Sequence, residues 1–85
     1  MHYYCSLIPV YGAIISRNNK KEYLLVQDRR TGKYGFCKGK ISEGESPKEC
    51  VAREVMEEVG LRIHNFGKYF DASLSNGKTY TFIEA

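Results

Sequence analysis

No apolar run in this 85-residue chain approaches the roughly 18 residues needed to cross a bilayer, so a membrane-spanning helix is not expected. The stretch from Met1 through Tyr11 has no basic patch followed by an apolar segment and a small-residue cleavage site, which argues against a secretory signal. Repeats, low-complexity tracts and Pro/Ser linkers are absent, so residues 1–85 read as one domain. Cysteine is sparse. Cys5, Cys37 and Cys50 are odd in number and lack zinc-site spacing, which suits reduced thiols in an intracellular protein and an expected location in the cytoplasm. A large excess of one charge is also missing. The net charge of +3 helps an anionic ligand approach but does not by itself indicate nucleic-acid binding. Lys20, Lys21, Arg29, Arg30, Lys33, Lys38 and Lys40 nevertheless all precede the acidic segment, as a solvated face or as a surface for anions.

What is present is a soluble, globular mixture, with 42% hydrophobic and 27% charged residues. A chain of this size builds only a marginal core. Val10 to Ile15 and Glu22 to Gln27 are apolar, β-branched or aromatic runs, and the polar stretch 17–21 between them predicts a hairpin. Thr31-Gly32-Lys33 predicts a second turn. Tyr34-Gly35-Phe36 predicts a short strand running into a loop rich in Gly and Lys. Further apolar runs are Leu61-Arg62-Ile63, Lys68-Tyr69-Phe70 and Thr79 to Ile83, the last preceded by an Asn76-Gly77 turn signal. An apolar strand so close to Ala85 would leave an uncovered sheet edge, which predicts an incomplete or naturally shortened domain.

The helix signal is the strongest local one. Ser46 fits an N-cap, Pro47 the first helical position, and Glu49 the capping box, while Gly60 supplies the stop. Val51, Ala52, Val55, Met56 and Val59 recur at helical spacing and predict a core-facing stripe. Glu54, Glu57 and Glu58 fall within a wedge of about 100° on another side. Like charges one turn apart cost a few tenths of a kcal/mol, and anions in the last turn oppose the helix dipole. Pairing of Arg53 with Glu49 and Glu57 offsets part of this. A divalent cation would remove the rest, and clustered carboxylates suit magnesium or manganese. Taken alone, the helix fits an ordinary solvated acidic face better than a metal site.

The preceding segment decides between these readings. Gly39, Glu45 and the run Arg53-Glu54-Val55-Met56-Glu57-Glu58-Val59-Gly60-Leu61 match every fixed position of the Nudix box, so residues 39–61 resemble that family's signature. The resemblance implies an α+β Nudix fold, a mixed β-sheet sandwiched by helices. It implies that Gly39, Glu54, Glu57 and Glu58 bind Mg2+ or Mn2+, that Arg53 orients a glutamate, and that Glu45 braces the loop. Arg53, Glu54, Glu57 and Glu58 would then be the catalytic set. The metal would neutralise bridging phosphates and lower the pKa of an attacking water.

The flanks, from Ile8 to Ile63, are similar to the catalytic subunits of eukaryotic mRNA decapping enzymes. The carrying segments are Ile8 to Ile15, Tyr23 to Gln27, Tyr34 to Ile41 and Glu49 to Val55. That similarity implies cleavage of the cap's triphosphate bridge, releasing 7-methylguanosine diphosphate. Lys38 and Lys40 would face phosphates, Arg29 and Arg30 would track the RNA backbone, and decapping activator proteins would be partners. Cys37 stands where that family usually has proline and is expected to loosen the loop. Tyr34 stands where tryptophan is usual. The family's helical regulatory domain and a further glutamate, its general base, are not within these residues. Two other functions fit the box: hydrolysis of a small substrate such as a dinucleoside polyphosphate, a diphosphoinositol phosphate or a damaged nucleotide, and a non-catalytic fragment that binds metal or nucleotide. His2 and His64 lack partner spacing for a role in chemistry, and Tyr3, Tyr4, Tyr11, Tyr69 and Tyr80 read as core or sheet-face aromatics.

Overall fold

The computed structural model describes residues 8–73 and 78–85; His2, Tyr3, Tyr4, Cys5 and the Asn76-Gly77 turn lie outside the described residues. Its centre is a mixed sheet. Strand β1 (Val10–Ile14) pairs antiparallel with β6 (Cys37–Lys40) and parallel with β8 (Thr79–Glu84), which pairs antiparallel with β7 (Tyr69–Ser73). The strand order is therefore β6-β1-β8-β7. With one helix, α1 (Pro47–Val59), packed on this sheet, the architecture is the expected α+β fold. Among the described residues a helix covers one face of the sheet, not both.

The hairpin expectation holds only at its tip. Asn18, Asn19 and Lys20 all take positive φ and connect β2 (Ser16–Arg17) to β3 (Glu22–Tyr23). Strand β1 goes to the centre of the large sheet instead, because small residues let neighbours close on it. A Cβ on Gly12 would lie 2.7 Å from the Phe82 ring and 2.8 Å from the Cys37 carbonyl oxygen. A second short pair joins β4 (Val26–Gln27) to β5 (Tyr34–Gly35). Cys37 to Lys40, expected as loop, is a full sheet strand. Thr79 to Ile83 does not form an uncovered edge, since β8 lies between β1 and β7. Leu61 to Ile63 forms no strand; Leu61 is exposed, and Ile63 packs on the core.

Helix α1 forms where its caps predict. The Ser46 side chain accepts from the Glu49 amide at 3.2 Å, and Glu49 accepts from the Ser46 amide at 3.1 Å, closing the capping box. Gly60 ends the helix in the left-handed conformation, donating to the Met56 carbonyl. The inward stripe differs from expectation at two positions. Met56 is exposed, and Cys50 is buried in its stead beside Val51 and Val55. Side chains alternate across a strand. Tyr11, Ala13, Cys37, Gly39 and Ile83 therefore share the face toward α1, and Val10, Gly12, Lys38, Lys40, Tyr80 and Phe82 share the other. On that second face Tyr23, Phe36, Phe82 and Tyr80 run edge to face.

The core of Ala13, Cys37, Val51, Val55 and Ile83 is small, so each member matters. Ile83→Ala is expected to cost about 2–5 kcal/mol. Chemical denaturation reads this directly, and a midpoint equal to that of the unaltered chain would remove Ile83 from the core.

Candidate active site

The site is assembled by one arginine. Glu45 sits in the loop between β6 and α1, where its Oε1 accepts from the Ser42 amide at 3.0 Å and its own amide donates to the Ser42 carbonyl. Gly44, at φ 78°, lets this loop turn tightly. Arg53 then grips the Glu45 carboxylate with both sides of its fork, Nε to Oε2 at 2.7 Å and Nη2 to Oε1 at 3.1 Å. Nη2 also donates to the Lys40 carbonyl, tying the helix to the end of β6. Nη1 donates to Glu54 at 2.9 Å and, more weakly, to both oxygens of Glu57 at 3.4 Å. Glu49, expected as a partner of Arg53, is consumed by the helix cap; the main partner is Glu45, which the loop folds back into reach.

The three helix carboxylates have different surroundings. Glu54 is largely covered, with its side chain 14% exposed, whereas Glu57 is 58% exposed. Burial raises the Glu54 carboxyl above its ordinary value; Arg53 pulls it down, and the charges of Glu57 and Glu58 add to the rise. The Glu54 carboxylate occupies the space that a Cβ on residue 39 would fill, so a side chain there would displace that carboxylate. Glu58 is exposed at the surface, and it lies near enough to Cys37 to raise that thiol. Glu54 and Glu58 thus lie over Gly39 and Cys37. The match is geometric, because four helical residues rise about 6 Å and two strand residues about 6.7 Å.

The carboxylates do not close on a single point. Among the described residues, no three acidic, thiol or imidazole groups are gathered tightly enough to hold one ion. The Arg53 guanidinium stands between Glu54 and Glu57 and offsets part of their charge. The donor set is nonetheless the right kind for Mg2+ or Mn2+, hard carboxylate oxygens beside a backbone cradle at Gly39 that has no side chain in the way.

The thiols are part of this layer, which the residue spacing did not reveal. Cys50 Sγ lies 3.8 Å from the Gly39 carbonyl oxygen and donates to it. Burial pushes the Cys50 thiol up to about 11, with the Glu45 charge adding to the rise. Burial and then the hydrogen bond to Glu58 push Cys37 up to about 12. Both are free thiols and stay protonated at neutral pH. Cys37 does not loosen a loop; it is a buried strand residue that fills the core.

The basic residues do not gather at the carboxylates. Lys38 and Lys40 point to the opposite face of the sheet, and the Lys38 amine lies 6.0 Å from the Tyr80 ring centre. Arg29 and Arg30 occupy the turn between β4 and β5. There the Asp28 carboxylate accepts from the Arg30 amide at 2.8 Å, and the Arg30 guanidinium pairs with the same carboxylate.

Sequence comparison matches residues 7–84 to the NUDIX domain. The chain is 40% identical over 63 residues to the m7GpppN-mRNA hydrolase of Saccharomyces cerevisiae (strain ATCC 204508 / S288c), a match spanning 74% of this chain and 6% of that protein. It is 39% identical over 66 residues to the NAD-capped RNA hydrolase NudC of Stutzerimonas stutzeri (strain A1501), spanning 75% and 23%. The chain therefore spans only a small part of these curated relatives. Among solved structures, a NUDIX hydrolase from Nitrosomonas europaea superposes with a TM-score of 0.69 at 27% identity, covering 93% of this chain and 56% of that one.

The Glu45–Arg53 fork should leave a mark on acid stability. The Arg53 hydrogen bond, followed by that of the Ser42 amide, holds the Glu45 carboxyl at about 2 against an ordinary 4.5. The folded state therefore binds this proton less readily than the unfolded chain. Its stabilisation is complete above about pH 4.5 and disappears as pH falls toward 2. Glu45→Gln should lower the melting temperature at neutral pH, with the gap from the unaltered chain closing across that window. A gap that stays constant down to pH 2 would show that the fork does not carry this effect.

Proposed function

Because the chain belongs to the Nudix family, we propose that it is a divalent-metal-dependent pyrophosphohydrolase and that its substrate is the 5′ cap of an mRNA. The observation that carries the hydrolase reading is the placement of Glu54 and Glu58 over the glycine-bearing strand, with Arg53 locking the loop above them. The similarity to the yeast m7GpppN-mRNA hydrolase supports the choice of substrate.

In this reading Glu54, Glu57, Glu58 and the Gly39 carbonyl hold Mg2+ or Mn2+. The bound ion supplies charge neutralisation for the anhydride and acidifies an attacking water. The remaining work falls to the protein. Arg53 and Glu45 fix the loop that joins β6 to α1, and the Cys50 thiol donates to the Gly39 carbonyl. Arg29, Arg30 and Lys40 are exposed and would contact the RNA backbone as point charges and forks for phosphate. Lys38, half-buried beside Tyr80, shares the sheet face of Lys40, so both would meet RNA backbone phosphates away from the carboxylates. Capped RNA, decapping activator proteins and a cytoplasmic setting follow from the same reading. A second reading, hydrolysis of NAD-capped RNA, has support in the similarity to NudC.

Parallel assays with m7G-capped RNA, NAD-capped RNA and a dinucleoside polyphosphate, each with Mg2+ or Mn2+, discriminate these substrates. Release of 7-methylguanosine diphosphate and 5′-monophosphate RNA is expected. Cleavage confined to either of the other substrates would refute the cap assignment. Glu58→Gln should lower turnover by about 100-fold or more, beyond the loss caused by removing an outer-sphere partner. Its melting temperature should hold or rise slightly, because a like-charge contact with Glu54 is relieved. An unchanged rate would take Glu58 out of the site.

A further inference from the structure

We propose that Arg53 is a built-in counter-ion that yields one arm to the metal while its other arm stays fixed. The proposal rests on the metal-dependent reading above and concerns how that site fills. The guanidinium is divided between two tasks. Nε and Nη2 are committed to Glu45 and to the Lys40 carbonyl at 2.7–3.1 Å, on the loop side. Nη1 alone reaches the carboxylate row, with a firm bond to Glu54 and two long bonds to Glu57.

That asymmetry has a consequence. The Glu45 fork is short, bidentate and largely shielded, with the Glu45 side chain 12% exposed, and it acts as a pivot. The Nη1 contacts to Glu57 are long and open to solvent. A divalent ion drawn to Glu54, Glu57 and Glu58 meets one positive charge already among them. It binds by releasing Glu57, and then Glu54, from Nη1. The arginine is thus a competitor for the ion at one end and a brace for the loop at the other. A residue that only oriented a ligand would lower metal affinity when removed. A residue acting as counter-ion raises it.

Calorimetric titration of the chain with Mn2+ in the absence of nucleotide tests this. Arg53→Gln is expected to bind Mn2+ about tenfold more tightly, the size set by taking one positive charge from beside a divalent ion in a wet site. The melting temperature of the variant should fall, because Glu45 loses its partner. Arg53→Lys retains the charge without the fork and should bind Mn2+ within about twofold of the unaltered chain. Equal or weaker binding by Arg53→Gln would overturn the proposal. Should that variant fail to fold, Mg2+ titration of the unaltered chain observed at the arginine side-chain resonances gives the answer. The Arg53 Nη1 signals should shift while Nε–H stays in place. Movement of Nε together with Nη1, or of neither despite metal uptake, would overturn it. If the unaltered chain takes up no ion at all, the metal-dependent reading itself falls.

Discussion

The Arg53–Glu45 ion pair is the constraint on which the rest of the site depends. Three acidic side chains within two helical turns repel one another, and Glu57 and Glu58 sit where the helix dipole is least favourable to them. No basic residue occupies the last turn of α1 to offset this. Compensation comes from the loop side. Glu45 anchors a guanidinium whose remaining arm reaches back over the carboxylates, and the same guanidinium holds the end of β6 through the Lys40 carbonyl. One side chain thereby couples strand, loop and helix. A lysine could not reproduce this, because a single ammonium group lacks the planar fork that serves several acceptors in fixed directions.

Around that link the geometry follows from element periodicities. A turn of helix and two residues of strand advance by nearly the same distance, so Glu54 and Glu58 fall in register with Gly39 and Cys37. Glycine at residue 39 leaves the Glu54 carboxylate its place against the strand. Residue 37 must be small enough to sit in the core, where its thiol lies near Glu58. The thiols at 37 and 50 satisfy that demand without ionising, as their burial keeps them protonated.

Much of this was legible in the residues themselves, for identifiable reasons. The helix boundaries were written locally, in Ser46, Pro47, Glu49 and Gly60, and local rules suffice for caps. The mixed sheet and the family followed from the box and its flanks. What escaped was non-local. The pairing of β1 with β6 and β8 depends on Gly12 admitting Phe82, a contact between residues far apart in the chain. The preference of Arg53 for Glu45 over Glu49 depends on a loop folding back, whereas helical spacing alone points to residues one turn away. The orientation of Lys38 and Lys40 away from the carboxylates became readable only once that segment was known to be a strand, with its alternation of faces. Cys37 was misjudged for the same reason.

The parallel contact between β1 and β8 also shapes how the molecule comes into being. Strand β1 pairs with β8, which follows every other strand of the sheet in the chain, so the central ladder cannot form until Thr79–Glu84 has left the ribosome. Until then the nascent chain carries β1 with one flank open, and the apolar side of α1 lacks Ile83 to complete its seat. Long-range closure of this sort makes folding slower than local helix formation. The carboxylates, all synthesised earlier, remain on an unfinished platform.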